Sequence, residues 1–120
     1  MRRHWRFLPL LLAPLALMAT GAHAAGALAM SDGGGSNAGI ASGLADTVEA
    51  ERQALLECGS NCKVVTDFAH TCAALATPLH SAGGWLSVRR GRAAAQNTAV
   101  QACQQHGSEG CDVKLWACDP

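Results

Sequence analysis

Six cysteines are the residues of this 120-residue chain whose type and spacing most clearly predict chemistry. They fall in two groups of three: Cys58, Cys62, Cys72, Cys103, Cys111 and Cys118. A cysteine can bind zinc as its thiolate, exchange electrons in a redox pair, or form a structural disulfide, and each use requires its own spacing. The gaps between neighbouring cysteines therefore discriminate among the three uses.

Zinc binding and redox catalysis both fit these gaps poorly. A zinc site would need His70 and His106 as additional ligands, and the gaps do not reproduce the paired short spacings of zinc fingers and ribbons. A thioredoxin-like pair has two intervening residues and precedes a helix, whereas Cys58 and Cys62 have three between them and end a helical pattern. An even number of cysteines in a short exported chain instead predicts a disulfide framework. We expect no metal and no other cofactor.

The first 24 residues predict export from the cytosol. Three arginines form a basic start, residues 7–18 form an apolar run, and Ala22 and Ala24 suit a signal peptidase. The run is shorter than the ~20 residues that span a bilayer, so we expect cleavage and no stable membrane insertion. The predicted organisation is a signal peptide at 1–24 and an exported domain at 25–120, located in the periplasm or secreted.

The charge and size of the exported part limit its functions. Three of the nine basic residues lie in the predicted signal peptide, so six basic and nine acidic residues remain and the net charge is −3. Because proteins that bind nucleic-acid phosphates are normally basic, we expect no nucleic-acid partner. The exported 96 residues contain no tyrosine and one phenylalanine, Phe68, so the core must consist largely of small aliphatic side chains and cystine. A domain of this kind needs disulfides for its stability.

Two segments 45 residues apart share one helical pattern. The shared positions recur every four residues, as one face of a helix requires: Ala50, Ala54 and Cys58 in the first copy, and Ala95, Ala99 and Cys103 in the second. Asp46 is the predicted N-cap of the first helix, whereas the second helix begins near Arg92 without an evident cap.

An alternating run follows each helix and predicts a strand. The run after the first helix has Val64 and Phe68 on one face. The run after the second helix has Val113 and Leu115 on one face and Trp116 on the other. Shorter apolar segments before each helix predict two further strands in each copy.

The chain is therefore predicted to contain two ββαβ units, at about 26–68 and 72–118. We expect them to pack as one α+β domain, with an antiparallel sheet, two helices on one face and disulfides that staple it together. Six cysteines permit 15 pairings, and the repeat favours Cys58–Cys62, Cys103–Cys111 and Cys72–Cys118. The last of these would hold the final strand against the middle of the sheet.

The ordered pattern resembles the bacterial domain-of-unknown-function family 4189 (DUF4189). Its motifs are A-x3-A-x3-C, C-x-V, CAALA, a second A-x3-A-x3-C and a closing C-x-V-x4-C. The residues that carry them are Ala50, Ala54, Cys58, Cys62, Val64, Cys72, Ala73, Ala74, Leu75, Ala76, Ala95, Ala99, Cys103, Cys111, Val113 and Cys118. The resemblance covers essentially the whole exported part and implies an exported bacterial protein without established catalytic residues. The first hairpin departs from the family pattern because it is rich in glycine and its first strand lacks an aromatic residue.

Catalysis is not expected from the remaining residues. The sequence contains no G-x-S-x-G elbow, no P-loop and no dinucleotide fingerprint, and paired cysteines leave no nucleophilic thiol. A small hydrolase using two carboxylates would draw on Glu49, Glu51, Glu57, Asp67 and Asp112. The helical acids are expected to form a solvated face, and the two strand acids to point outward.

Binding is better supported by the arginines before the second helix. Cations at a helix N-terminus oppose its dipole, so Arg89, Arg90 and Arg92, close in sequence to Trp85, indicate either a bound anionic group or a solvated strand edge. Trp116 either covers the second side of the sheet or is exposed, and an exposed tryptophan near arginines is a natural interaction anchor. These five residues are the candidate partner-binding site.

The expected function is that of a non-catalytic protein-binding module, such as an inhibitor or accessory factor in the cell envelope. Its expected partner is another envelope or secreted protein. The alternatives are a small envelope hydrolase that uses surface carboxylates and a purely structural secreted factor.

Overall fold

The computed structural model describes residues 25–32, 37–107 and 109–120, so the predicted signal peptide lies outside the described residues. The described part contains six strands and two helices. Their bounds are β1 Ala25–Ser31, β2 Ala38–Leu44, α1 Thr47–Cys58, β3 Cys62–Phe68, β4 Cys72–Pro78, β5 Trp85–Arg89, α2 Arg92–Gln105 and β6 Cys111–Cys118. The predicted α+β class and the duplicated ββαβ order are confirmed.

The strands form two antiparallel three-stranded sheets, ordered β2-β1-β3 and β5-β4-β6. In each sheet the first strand of the repeat lies in the middle. The second strand pairs with one edge of the first strand, and the third strand, which follows the helix, pairs with the other edge. The sequence predicted one sheet, and the structure divides the strands between two. The physical reason is that each sheet has a second apolar face, which carries Leu28 in one sheet and Leu75 in the other, and stacking the two sheets buries both faces.

Each helix packs on the outer face of its own sheet through small side chains. Ala27 and Ala29 of β1 lie against Ala50 and Ala54 of α1, and the equivalent alanines of β4 and α2 form the second cluster. The approach is close because a Cβ on Gly39 in β2 would lie 2.2 Å from the carbonyl oxygen of Ala54. Glycine is therefore the residue that fits under the helix at this position.

The two helices start differently, as the sequence predicts. The Asp46 carboxylate accepts a hydrogen bond of 2.8 Å from the backbone N–H of Glu49, which caps the first turn of α1. The N-cap of α2 is Gly91, and no side chain caps the amides of its first turn.

The inner faces of the two sheets pack against each other. Leu28 of β1 and Leu75 of β4 lie on the side away from the helices and are 0% and 1% exposed. A Cβ on Gly84 would lie 2.7 Å from the Cε of Met30 and 2.9 Å from a Cδ of Leu75, so side chains of both sheets meet there. The resulting layers are α1, the first sheet, the second sheet and α2. The helices thus lie on opposite outer surfaces of the domain, and not on one face of a single sheet as the sequence predicts, because each helix covers the outer face of its own sheet.

A β-bulge changes the direction of the side chains within β3. Leu28 pairs with Thr66 and Ala29 pairs with Val64, so Val65 is an extra residue. Val64 consequently packs towards α1, whereas Phe68 covers Gly26 on the inner face. The prediction that Val64 and Phe68 share a face is therefore wrong, since one inserted residue shifts the alternation of the strand.

The same device recurs at the equivalent place in β6. Leu75 pairs with Leu115 and Ala76 pairs with Val113, which makes Lys114 the extra residue. Val113 faces α2, Leu115 lies on the inner face, and Trp116 faces outward again opposite Ala74. The prediction that Val113 and Leu115 share a face opposite Trp116 is wrong for the same reason.

The predicted disulfide framework is confirmed, and none of the six cysteines is free. The bonds are Cys58–Cys62, Cys72–Cys118 and Cys103–Cys111. The first and third join the end of a helix to the start of the following strand. The second joins directly paired residues of β4 and β6, so it holds the final strand against the middle of its sheet.

Candidate functional site

The first candidate site lies where α2 begins, beside β6. Trp116 lies on the outer side of β6, and the guanidinium carbon of Arg92 lies 3.9 Å from the centroid of its ring. This distance is typical of a cation–π contact, worth about 0.5–1 kcal/mol at an exposed position. Trp116 is still 39% exposed, so part of the indole remains available to another molecule.

Two further arginines lie just before Arg92 in the chain. Arg89 ends β5 opposite Cys72 of β4, and Arg90 lies in the turn before α2; both are exposed. The Arg89 guanidinium donates a hydrogen bond of 2.7 Å to the carbonyl of Val88. Within the described chain neither arginine forms an ion pair with a carboxylate. We call Arg89, Arg90, Arg92 and Trp116 the arginine surface.

Trp85 does not belong to the arginine surface, although it is close to the arginines in sequence. Its ring stacks on His106 at the C-terminal end of α2, with ring centroids 5.3 Å apart. Because β5 and α2 run in opposite directions, Trp85 and Arg92 lie at opposite ends of the helix. The structure thus brings Arg92 and Trp116 into contact, places Arg89 and Arg90 just before the start of α2, and separates Trp85 from all of them.

The corresponding place in the first repeat is acidic. Asp67 of β3 pairs with Ala27 and faces outward, as Trp116 does opposite Ala74. It lies beside Glu51 of α1, and the two carboxyl groups interact in two ways. The protonated Glu51 carboxyl donates a hydrogen bond to Asp67, and the two carboxylates repel each other when both are charged. Both effects raise the pKa of Glu51 above its ordinary value of 4.5. The duplication has placed two carboxylates in one repeat where the other has a tryptophan and an arginine.

The remaining predicted carboxylates do not join this pair. Glu49 forms an ion pair of 2.6 Å with Arg52 on the solvent side of α1. Glu57 is exposed near the end of the helix, and Asp112 is exposed at the start of β6 on the other sheet. Among the five, Glu51 and Asp67 are the pair in which one carboxylate raises the pKa of the other.

Sequence reasoning missed a buried carboxylate at the end of β6. Asp119 is 3% exposed, and its carboxylate accepts hydrogen bonds from the backbone N–H groups of Gly43 at 2.8 Å and His70 at 3.4 Å. Its own N–H donates to the carbonyl of Thr71 at 2.8 Å. These bonds join the first repeat, the connection between the repeats and the last strand. We call this set of bonds the Asp119 clasp. No local pattern in the sequence signals it, because its partners are backbone groups 49 and 76 residues away.

The two histidines considered as zinc ligands are engaged elsewhere. His70 Nδ1 lies 2.9 Å from the carbonyl oxygen of Pro120, and His106 stacks on Trp85. In the parts of the chain that the structure describes, no three His, Cys, Asp or Glu side chains converge in a way that could hold a metal ion.

The geometry defines a class of small disulfide-stapled α+β proteins built from two ββαβ repeats, with a tryptophan and three arginines exposed on one outer surface. The family model described as "Domain of unknown function (DUF4189)" matches residues 25–118, and the chain belongs to this family. Comparison with curated proteins and with solved structures gave no match.

The disulfides also indicate the compartment. Three disulfides with no free thiol are typical of an oxidising, extracellular environment. Over residues 25–32, 37–107 and 109–120, neither helix has the length and apolar character needed to cross a membrane.

Proposed function

We propose that this protein is an exported, non-catalytic binding module that recognises another envelope or secreted protein, as an inhibitor or accessory factor does. The observation that carries the proposal is the arginine surface. An indole that is 39% exposed lies under the guanidinium of Arg92, and the two arginines that precede α2 have no carboxylate partner in the described chain. Tryptophan and arginine are the residue types that contribute most binding energy at protein interfaces.

The scaffold supports binding in a second way. The long disulfide closes a loop between residues 46 positions apart and fixes β6, which carries Trp116, to the central strand β4. Arg92 and Arg89 are held by the first turn of α2 and by β5. Three of the four side chains therefore project from regular elements whose relative positions are set before a partner arrives, which lowers the entropic cost of association. Arg90 lies in the turn between two of these elements.

Affinity purification from periplasm and culture medium tests this proposal. The bait is the tagged domain beginning at Ala25, and captured proteins are identified by mass spectrometry. We expect Trp116→Ala, and separately the triple change of Arg89, Arg90 and Arg92 to alanine, to weaken capture of the same partner by about tenfold or more. The controls are Trp85→Ala, at the other end of α2, and Arg52→Ala, in the other repeat. Equal capture by the wild type, both arginine-surface variants and both controls would refute this surface.

Export by a cleaved signal peptide is part of the proposal. Residues 1–24 have the order of basic, apolar and small residues that a signal peptidase recognises. N-terminal sequencing of protein recovered from the periplasm or medium should begin at Ala25, within about two residues. A chain that retains Arg2 and stays in the cytosol would contradict export.

A carboxylate hydrolase is the second candidate, and the contact between Glu51 and Asp67 favours it. Two carboxyl groups of which one has a raised pKa are the elements of general acid–base catalysis on glycans. It ranks second because the pair lies on an outer surface in contact with water, whereas such chemistry usually proceeds in an enclosed site. Hydrolysis of peptidoglycan or another envelope glycan that is abolished by both Glu51→Gln and Asp67→Asn, and retained in Asp112→Asn, would establish it.

A further inference from the structure

The two outer surfaces of the domain differ in charge although they derive from the same repeat. The surface formed by α1 and the outer side of β3 is acidic. Its acidic residues are Asp46, Glu49, Glu51, Glu57 and Asp67, and its one basic residue is Arg52. The surface formed by α2 carries Arg89, Arg90 and Arg92, and α2 itself contains no acidic residue. We call the five acids, together with Val48 and Leu56, the acidic face.

The acidic face also exposes large aliphatic side chains that the helix of the opposite surface lacks. Val48 and Leu56 of α1 are 76% and 68% exposed and lie two turns apart on one ridge of the helix. The equivalent residues of α2, 45 positions later, are Ala93 and Gln101, both exposed. Thus the ridge of α1 offers two large apolar groups, one on either side of Arg52, and the equivalent positions of α2 offer a low, uncharged surface on which such groups can lie.

We propose that the chain assembles head to tail, with the acidic face of one copy bound to the arginine surface of the next. The proposal rests on the binding role of the arginine surface proposed above and names its occupant. Because the helices lie on opposite outer surfaces, the two halves of this contact cannot meet within one molecule. The contact is heterologous, so a pair of copies leaves one acidic face and one arginine surface free for further copies.

Charge complementarity supports this occupant at the level of single residues. Glu51 and Asp67 repel each other in the isolated copy, and a guanidinium beside them would relieve that repulsion. Arg89 and Arg90 have no carboxylate partner in the described chain and are free to provide it. Trp116 then lies against the apolar ridge of α1, where Val48 or Leu56 can cover the exposed part of the indole.

Sedimentation velocity on the purified domain is the experiment that tests head-to-tail assembly. At an ionic strength of about 0.01 M, where the Debye length is ~30 Å, the average mass should rise with protein concentration. At about 1 M, where the Debye length is ~3 Å, the protein should sediment as a monomer. A monomer at low ionic strength and at a protein concentration of about 1 mM would overturn the proposal.

Charge reversal makes the test specific for the two faces. The first variant changes Glu49, Glu51 and Glu57 to lysine, and the second changes Arg89, Arg90 and Arg92 to glutamate. Each variant alone then carries like charge on both outer surfaces and should remain monomeric. An equimolar mixture should associate, because every contact in it again joins opposite charges. A mixture that stays monomeric, although each variant has the circular dichroism of the wild-type fold, would overturn the proposal.

Control variants separate this proposal from the function proposed above. Exchanging the charges of Asp32 and Lys63, which pair at 3.7 Å outside both faces, should leave self-association unchanged. The lysine variant keeps the arginine surface intact. Capture of a different protein by that variant, together with a monomeric wild type, would therefore overturn self-assembly and leave the proposed function standing. Self-association without capture of any other protein would support self-assembly and overturn the proposed function.

Discussion

Replacing the buried Asp119, which directly follows β6, with alanine should destabilise the protein more than replacing an exposed carboxylate of β6 does. The variant removes the acceptor of a 2.8 Å hydrogen bond from Gly43 and of a weaker one, at 3.4 Å, from His70. Hydrogen bonds to charged groups are worth about 1.5–3 kcal/mol, and a buried N–H left without a partner costs about 1–3 kcal/mol. The expected loss in the free energy of unfolding is about 2–3 kcal/mol, mostly from Gly43.

Thermal and urea unfolding of the disulfide-intact protein, followed by circular dichroism, provides the measurement. For a domain of this size the loss corresponds to a fall in Tm of roughly 10–20 °C. Asp119→Asn retains one carbonyl acceptor for Gly43 but turns an amide N–H₂ towards His70, so we expect a smaller loss of about 1 kcal/mol. The control is Asp112→Ala, an exposed position of the same strand, which should change stability by no more than about 0.5 kcal/mol.

The comparison between the two alanine variants tests whether the Asp119 clasp stabilises the fold. If Asp119→Ala and Asp112→Ala unfold at the same temperature, the Asp119 clasp contributes nothing and our account of how the repeats are joined is refuted. If Asp119→Asn loses as much as Asp119→Ala, the charge of the carboxylate matters more than the number of acceptors.

Three further changes test other parts of the fold. Gly39→Ala would press a Cβ against the backbone of α1, so it should lower the free energy of unfolding, measured by urea titration, by about 1–3 kcal/mol. A negligible loss of stability would contradict the close approach of α1 to β2. Removing the long disulfide with Cys72→Ser and Cys118→Ser should lower the free energy of unfolding by about 4 kcal/mol. Removing Cys58–Cys62, which closes a loop of four residues, should lower it by about 2 kcal/mol. A larger fall in Tm for the short disulfide would refute the role of the long one in holding β6 to β4. Because Asp67 raises the pKa of Glu51, the contribution of this pair to stability is fully present below pH 4.5 and is lost as the pH rises through the folded-state pKa of Glu51. Glu51→Gln should therefore have a higher Tm than the wild type at pH 7 and no such advantage near about pH 3.

The regular elements were predictable because local periodicity decides them. Alanine and cysteine every four residues placed α1 and α2, and alternation placed β3 and β6. The repeat also led to the three disulfides, since equivalent half-cystines follow equivalent helices. The direction of side chains within β3 and β6 was not predictable, because a bulge depends on how a strand matches its neighbour and not on its own sequence.

The candidate site was predictable only as a set of residue types. Arg89, Arg90, Arg92 and Trp116 are notable by chemistry, but Trp116 lies 24 residues beyond Arg92 and meets it only because α2 packs across β6. Trp85 is nearer to the arginines in sequence and far from them along the helix, since a strand and the helix that follows it run in opposite directions. The contact between Glu51 and Asp67 arises in the same way in the first repeat.

By itself the sequence determined the class of the fold, the oxidising compartment that its cysteines require and the residues able to form an interaction surface. These features depend on composition and on intervals of a few residues, which the chain carries in any conformation. Tertiary structure alone decided that the strands divide into two sheets, that opposite charges occupy opposite outer surfaces and that Asp119 joins the repeats. Each of these depends on contacts between residues tens of positions apart, and such contacts exist only once the chain has paired its strands and packed its helices.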